Sequence, residues 1–277
     1  MRRVHIIFLS GRVLKYICYC GIMLLLVLSI TANRYSFLKT FNPSTGADEG
    51  FNKGRVAIVI DDFGFNGKGT KEMLEIGIPI TCAILPFSEF SSQEAQLIHS
   101  KGHEIIIHIP MEPHHGDPSW LGEKGITSQL TDDKIEEIIR EAVKRVPYAV
   151  GVNNHMGSKA TEDRRIMGVI INILKEKALF ILDSKTGLHS VIEEVAAAHK
   201  VPYIERSLFL DNVKDKAYIK KQLRKLGELA QKEGRAVAIG HVGPEGGIVT
   251  VNAIREMVRE LEAMGIEFVY LSDLIER

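Results

Sequence analysis

Acids and histidines recur directly after short apolar runs in this chain. "VAIVI" ends in Asp61 and Asp62, and "EIIIHIP" carries His108, with Glu112 four residues on. "AVGVNNHMGS" brings Asn153, Asn154, His155 and Ser158 together. "LFILDSKT" ends in Asp183, Ser184 and Thr186, "SLFLDN" in Asp211 and Asn212, and "RAVAIGHVGP" carries His241. Taken singly, an aspartate after a strand is often a helix N-cap, and a lone histidine is often a hydrogen-bonded core residue. Gathered at one buried place, however, several carboxylates are costly unless a cation or protons offset them. Mixed His and Asp ligands suit zinc or another divalent transition metal. Magnesium and calcium prefer an oxygen-only shell. The adjacent pair could divide the labour, one acid ligating a metal and the other taking a proton from water. His241 could protonate a leaving group, with Asp183 or Asp211 orienting its ring and raising its pKa.

These residues need elements that bring them together. From residue 55 onward, strand-like and helix-like segments alternate. The strands are short and apolar on both faces, as in a buried parallel sheet. The helices carry apolar residues at i, i+3 and i+4; Ile135, Ile138, Ile139 and Ala142 form one such face. Seven or eight βα repeats in this length predict a distorted TIM-like (β/α) barrel, with a doubly wound open sheet as the alternative. In a parallel barrel the C-terminal strand ends share one mouth, and the acids and histidines fall at those ends. No phosphate-binding loop follows the first strand, since "DDFGFNGKG" is neither GxGxxG nor a Walker motif.

The rest of the chain bounds where this chemistry takes place. Lys+Arg and Asp+Glu are each 35, which gives no basic excess of the kind that nucleic-acid binders show. Residues 16–32, "YICYCGIMLLLVLSITA", carry no charge and follow Arg2, Arg3, Arg12 and Lys15. The run is near the lower limit of about 17 residues for a membrane-spanning helix. Its basic flank places the N-terminus in the cytoplasm and the remainder outside. Ile30 fits poorly at the −3 position of a cleavage site after Ala32, so residues 1–32 read as a membrane anchor in preference to a signal segment, whose cleavage would leave a secreted domain. Residues 33–53 read as a polar linker and 54–277 as the catalytic domain. Cys18 and Cys20 lie in the apolar run, and Cys82, within "ITCAILP", reads as a small core residue.

The set "IDDFG", "GHEIIIHIPMEP", "GVNNHMGS", "LDSKT" and "IGHVGP" resembles the divergent polysaccharide deacetylase family, related to the NodB-type carbohydrate esterases of family 4. The resemblance covers essentially residues 54–277. It implies a NodB-type barrel, a divalent metal (zinc by preference), and removal of acetyl groups from N-acetylated sugars of a cell-envelope glycan. Residue by residue, it implies Asp61 as base, Asp62 and His108 as metal ligands, and His241 as acid. The chain departs from the pattern where the usual second histidine is replaced by Glu112. The third ligand is then Glu112 or His155; we favour His155, because a His-His-Asp shell keeps the usual zinc chemistry. The family's arginine-proline motif is replaced by "NNHMGS", whose Asn153 or Asn154 amide is placed to stabilise an oxyanion. Asn153, Asn154 and Ser184 are thus the expected substrate contacts, while His114, His115 and Trp120 read as surface or rim residues. Two other readings stand beside this one. A glycoside hydrolase would use Asp62 with Asp183 or Asp211, and a degenerate deacetylase would serve only as a glycan-binding or envelope-scaffold domain.

Overall fold

The first strand, β1 (Gly54–Phe63), is apolar on both faces because both are covered, and Val56 through Ile60 are fully buried. The computed structural model describes residues 53–244 and 246–275. The expected membrane segment at 16–32 lies outside them, as does the linker up to residue 52. Among the described residues, no helix is long and apolar enough to cross a membrane.

Eight further strands follow: β2 (Thr81–Ile84), β3 (Glu104–Met111), β4 (Gly151–Met156), β5 (Phe180–Asp183), β6 (Tyr203–Glu205), β7 (Leu208–Phe209), β8 (Arg235–His241) and β9 (Ile266–Val269). Eight of the strands form the order β6-β5-β4-β3-β2-β1-β8-β7, all parallel. This is a curled half-barrel, the distorted (β/α) arrangement that the alternating segments predict. The closing strand β9 pairs with Gly54–Ala57 of β1, below the point where β2 begins to pair at Val59. β6 and β7 end the strand order, yet only Arg206 and Ser207 separate them in sequence. The chain itself therefore brings the two sheet edges together.

Helices α1 (Thr70–Leu74), α2 (Ser91–Ser100), α3 (Asp132–Arg145), α4 (Arg164–Glu176), α5 (Ile192–His199), α6 (Lys216–Glu233) and α7 (Ile248–Ala263) accompany the strands. α3 buries Ile135, Ile138, Ile139 and Ala142, the face read from its sequence, and Thr131 caps its N-terminus. Alternate strand residues feed two separate cores. Val56, Ile58, Cys82 and Ile107 pack towards the helices. Ala57, Val59, Ala83, Ile106, Leu182 and Ile239 fill the barrel interior. Phe180 joins them because Gly151 leaves its ring room; a Cβ there would stand 2.5 Å from the ring. Two residues further along the inward-facing rows come Asp61 above Val59, His108 above Ile106 and His241 above Ile239.

Candidate active site and metal centre

At the end of β1 the pairing with β2 shifts between Ile60 and Phe63, and Asp62 takes a left-handed backbone with φ 69°. That turn lets consecutive aspartates face the same mouth, which a regular strand forbids. A left-handed backbone costs a non-glycine residue about 1 kcal/mol, so something must hold it. The Glu94 carboxylate, buried on α2, accepts hydrogen bonds from the backbone N–H groups of Gly64 (2.7 Å) and Asn66 (2.5 Å). It fixes the loop just beyond the aspartates.

Asp62, His108 and His155 converge from the ends of β1, β3 and β4. His155 Nδ1 lies 3.1 Å from His108 Nε2 and 3.4 Å from Asp62 Oδ1. His108 Nε2 lies 3.6 Å from the same oxygen. Ligand atoms around a tetrahedral zinc, with bonds of about 2.0–2.1 Å, stand about 3.3 Å apart. Asp62 Oδ1 is also buried without a hydrogen-bond partner, an arrangement that is costly unless a cation faces it. Burial pushes the Asp62 carboxyl up, but the adjacent His155 and His108 rings bring it down to about 2. Burial, reinforced by His155, lowers His108 to about 3 and leaves a neutral imidazole. The donor set, its spacing and its ionisation fit a divalent ion. Glu112 stands apart from this cluster: its carboxylate accepts from Lys159 Nζ (2.7 Å) and the Ser128 N–H (2.6 Å).

Asp61 and His241 are register partners on β1 and β8. Asp61 Oδ2 lies 3.5 Å from His108 Nε2, and Oδ1 accepts from Asn153 Nδ2 at 2.9 Å. Burial raises Asp61 to about 7, against the pull of His241 and with a push from Asp62. A carboxyl in this range suits proton exchange near neutrality. His241 Nδ1 donates to Asp211 Oδ1 at 2.8 Å, while Asp211 Oδ2 accepts from the His241 N–H (2.8 Å) and from Thr250 Oγ1 (2.7 Å). Burial alone would lower His241; the Asp211 hydrogen bond and charge, with Asp61 and Asp62 beyond, raise it to about 9. The ring stacks on Phe209.

Of the two aspartates considered as partners for His241, the structure places Asp211 there. Asp183 shares the outward-facing row of Ile181 and accepts from the Lys185 N–H at 2.7 Å. Asn153, Asn154 and Ser184, expected as substrate contacts, lie at or below 3% exposure. Their polar groups serve the protein instead: Asn154 Oδ1 accepts from the Ser184 N–H (3.0 Å), and its Nδ2 donates to the Met156 carbonyl (2.7 Å). They brace the mouth from beneath. His114 pairs with Glu162 at 2.9 Å on an exposed loop, and Trp120 is 64% exposed. The sequence reading missed Glu94, Thr250 and Arg206. Arg206 follows β6 and had a strand-end position as its signal; Glu94 and Thr250 are ordinary helix residues and had none.

Residues 58–275 match the family model described as divergent polysaccharide deacetylase, and the chain belongs to that family. It is 38% identical over 208 residues to the uncharacterized protein YibQ of Escherichia coli K12, a match covering 75% of this chain and 63% of YibQ. That is less than two thirds of YibQ's length. An uncharacterized protein of Haemophilus influenzae is 32% identical over 216 residues, covering 78% of this chain and 76% of that protein. Among solved structures, the uncharacterized protein ATU2773 of Agrobacterium tumefaciens C58 superposes with a TM-score of 0.74 at 23% identity, covering 84% of this chain and 92% of that one.

Proposed function

We propose that this protein is a metal-dependent hydrolase that removes N-acetyl groups from a cell-envelope polysaccharide. The observation that carries the reading is the Asp62–His108–His155 cluster beside Asp61, with His241, the register partner of Asp61, held by Asp211, in a member of this family. Asp62, His108 and His155 would hold the ion, Zn2+ by preference for this donor set. Such an ion supplies Lewis-acid polarisation of the acetamide carbonyl and an acidified water. Asp61 takes a proton from the attacking water as the new C–O bond forms. His241, protonated and oriented by Asp211, gives the proton on Nε2 to the amine nitrogen as the C–N bond breaks. The products are acetate and a free amino sugar. The uncharged run at 16–32 and its basic flank support an extracytoplasmic, membrane-anchored location, where envelope glycans are met.

Glycoside hydrolysis fits less well. Asp62 belongs to the ligand cluster and Asp211 is bound to His241, so neither is free to act on a glycosidic bond. A purely glycan-binding role leaves the proposed base, ligands and acid without a task.

The test begins with the metal content of the purified protein. About one zinc-like ion per chain is expected, lost in Asp62→Ala, His108→Ala and His155→Ala and kept in Glu112→Ala. Acetate release from N-acetylated glycans should follow metal content, and Asp61→Asn should lower it at least about a hundredfold with the metal retained. A metal-loaded protein that releases no acetate from any such glycan would overturn the reading in favour of a binding domain.

A further inference from the structure

Asn153 pairs in register with His108 of β3 on one side and Leu182 of β5 on the other, and it points into the barrel at 1% exposure. Its amide is engaged at both ends. Nδ2 donates to Asp61 Oδ1 at 2.9 Å and to Ser184 Oγ at 3.3 Å. Oδ1 lies 2.7 Å from His108 Nδ1. The two ends of a carboxamide are not interchangeable, since NH2 only donates and the oxygen only accepts. Ionised, as a base has to be, the Asp61 carboxylate takes the NH2 end, and the oxygen then receives a hydrogen from His108 Nδ1. With that hydrogen fixed on Nδ1, Nε2 keeps its lone pair, and Nε2 is the atom that faces Asp62 and His155.

We propose that Asn153 is a positioning residue that couples the two halves of the site, orienting the Asp61 carboxylate with one end of its amide and setting the His108 tautomer with the other. It acts through these two residues. The Asp61 half rests on the hydrolase reading above; the His108 half rests on the hydrogen-bond geometry.

Two variants of the full chain separate the halves. Asn153→Asp keeps an acceptor for His108 Nδ1 and replaces the amide donor to Asp61 with a second carboxyl that must share a proton with it, whereas Asn153→Ala loses both. Three readouts apply: titration with Zn2+, histidine-ring 15N–1H NMR of the metal-free protein, and kcat against KM on an N-acetylated glycan. Asn153→Ala should weaken Zn2+ binding by about 10- to 100-fold and abolish the single Nδ1–H tautomer of His108. Asn153→Asp should bind Zn2+ at least as tightly as the wild type and keep that tautomer, yet lose at least about tenfold in kcat at unchanged KM. Wild-type Zn2+ affinity and an unchanged tautomer in Asn153→Ala would overturn the His108 half. Wild-type kcat in Asn153→Asp would overturn the Asp61 half, and should Asn153→Ala fail to fold, Asn153→Leu, which keeps the side-chain volume and loses both ends of the amide, takes its place. If the wild type hydrolyses no N-acetylated glycan, the deacetylase reading and the Asp61 half fall together, and titration and NMR still decide the His108 half.

Discussion

Asp211 suits His241 to the proposed acid role by gripping it at two points, through the ring Nδ1 and through the backbone N–H, while Thr250 steadies the second carboxylate oxygen. The ring is raised to about 9 from 6.5. An acid must carry its proton to act, so the alkaline limb of kcat/KM should fall as pH passes through about 9. Asp211→Asn removes the charge and keeps the shape. The limb should then move from about 9 towards 6.5, with activity at the acid end of the profile much less affected. The measurement is the pH profile of both proteins on one N-acetylated glycan, and an unmoved limb would remove His241 from the acid role. The same shift carries a stability consequence. A folded pKa above the unfolded one stabilises fully below about 6.5 and is lost as pH rises through about 9. Wild type should therefore lose its stability advantage over Asp211→Asn across that interval. At this scale the sequence was partly legible. Asp61, Asp62, His108 and His241 each close an apolar run, and the inward-facing rows of Asp61, His108 and His241 follow from strand alternation, whereas Asp62 reaches the mouth only through its left-handed turn. The choice between Asp183 and Asp211 was not legible, because both follow an "L" and only the register shows that Asp183 points outward.

Among the elements, α2 has the least obvious part in the site. Its Glu94 lies 30 residues from Gly64 in sequence and captures two loop N–H groups that would otherwise lack partners. Nothing in "SSQEAQLIHS" marks that glutamate as different from a surface one, and only packing reveals it. An unsatisfied buried N–H costs about 1–3 kcal/mol. Glu94→Ala should destabilise the protein by about 2–3 kcal/mol and weaken Zn2+ binding, because the left-handed turn at Asp62 loses its support. Glu94→Gln keeps one acceptor oxygen and should fall between. Denaturant midpoints and Zn2+ titration check both effects. A Glu94→Ala protein that binds Zn2+ like the wild type would show that the β1 loop holds Asp62 without help. Helix faces such as that of α3 were readable from spacing alone, because amphipathicity is a local property. The placement of β9 beneath β2 was not, because pairing partners are chosen in three dimensions.

Over the whole molecule, the feature that decides the shape of the mouth is the junction between β6 and β7. The strand order ends at both, no ladder joins them, and the chain crosses from one to the other through Arg206 and Ser207. Arg206 supplies what the missing ladder does not. Its Nε donates to the Ser184 carbonyl (2.7 Å) and its Nη2 to the Lys185 carbonyl (3.0 Å), both just beyond β5. Its guanidinium lies 3.7 Å from the centre of the Phe209 ring on β7, and that ring stacks on His241. One side chain thus ties the loop after β5 to the strand that supports the proposed acid. Hydrogen bonds from a charged donor contribute about 1.5–3 kcal/mol, and a cation over an aromatic face about 0.5–2 kcal/mol. Arg206→Ala should therefore cost about 2–4 kcal/mol in unfolding free energy. It should also lower kcat, through the loosened Phe209–His241 stack, while Zn2+ affinity stays near wild type, since the proposed ligands come from β1, β3 and β4. Arg206→Lys should recover only part of the loss, because an ammonium cannot span two carbonyls and cover the ring with one planar group. Urea midpoints, Zn2+ titration and kcat on the three proteins separate these effects. If Arg206→Ala matched wild type in stability and turnover, the two sheet edges would be held together by the short connection alone.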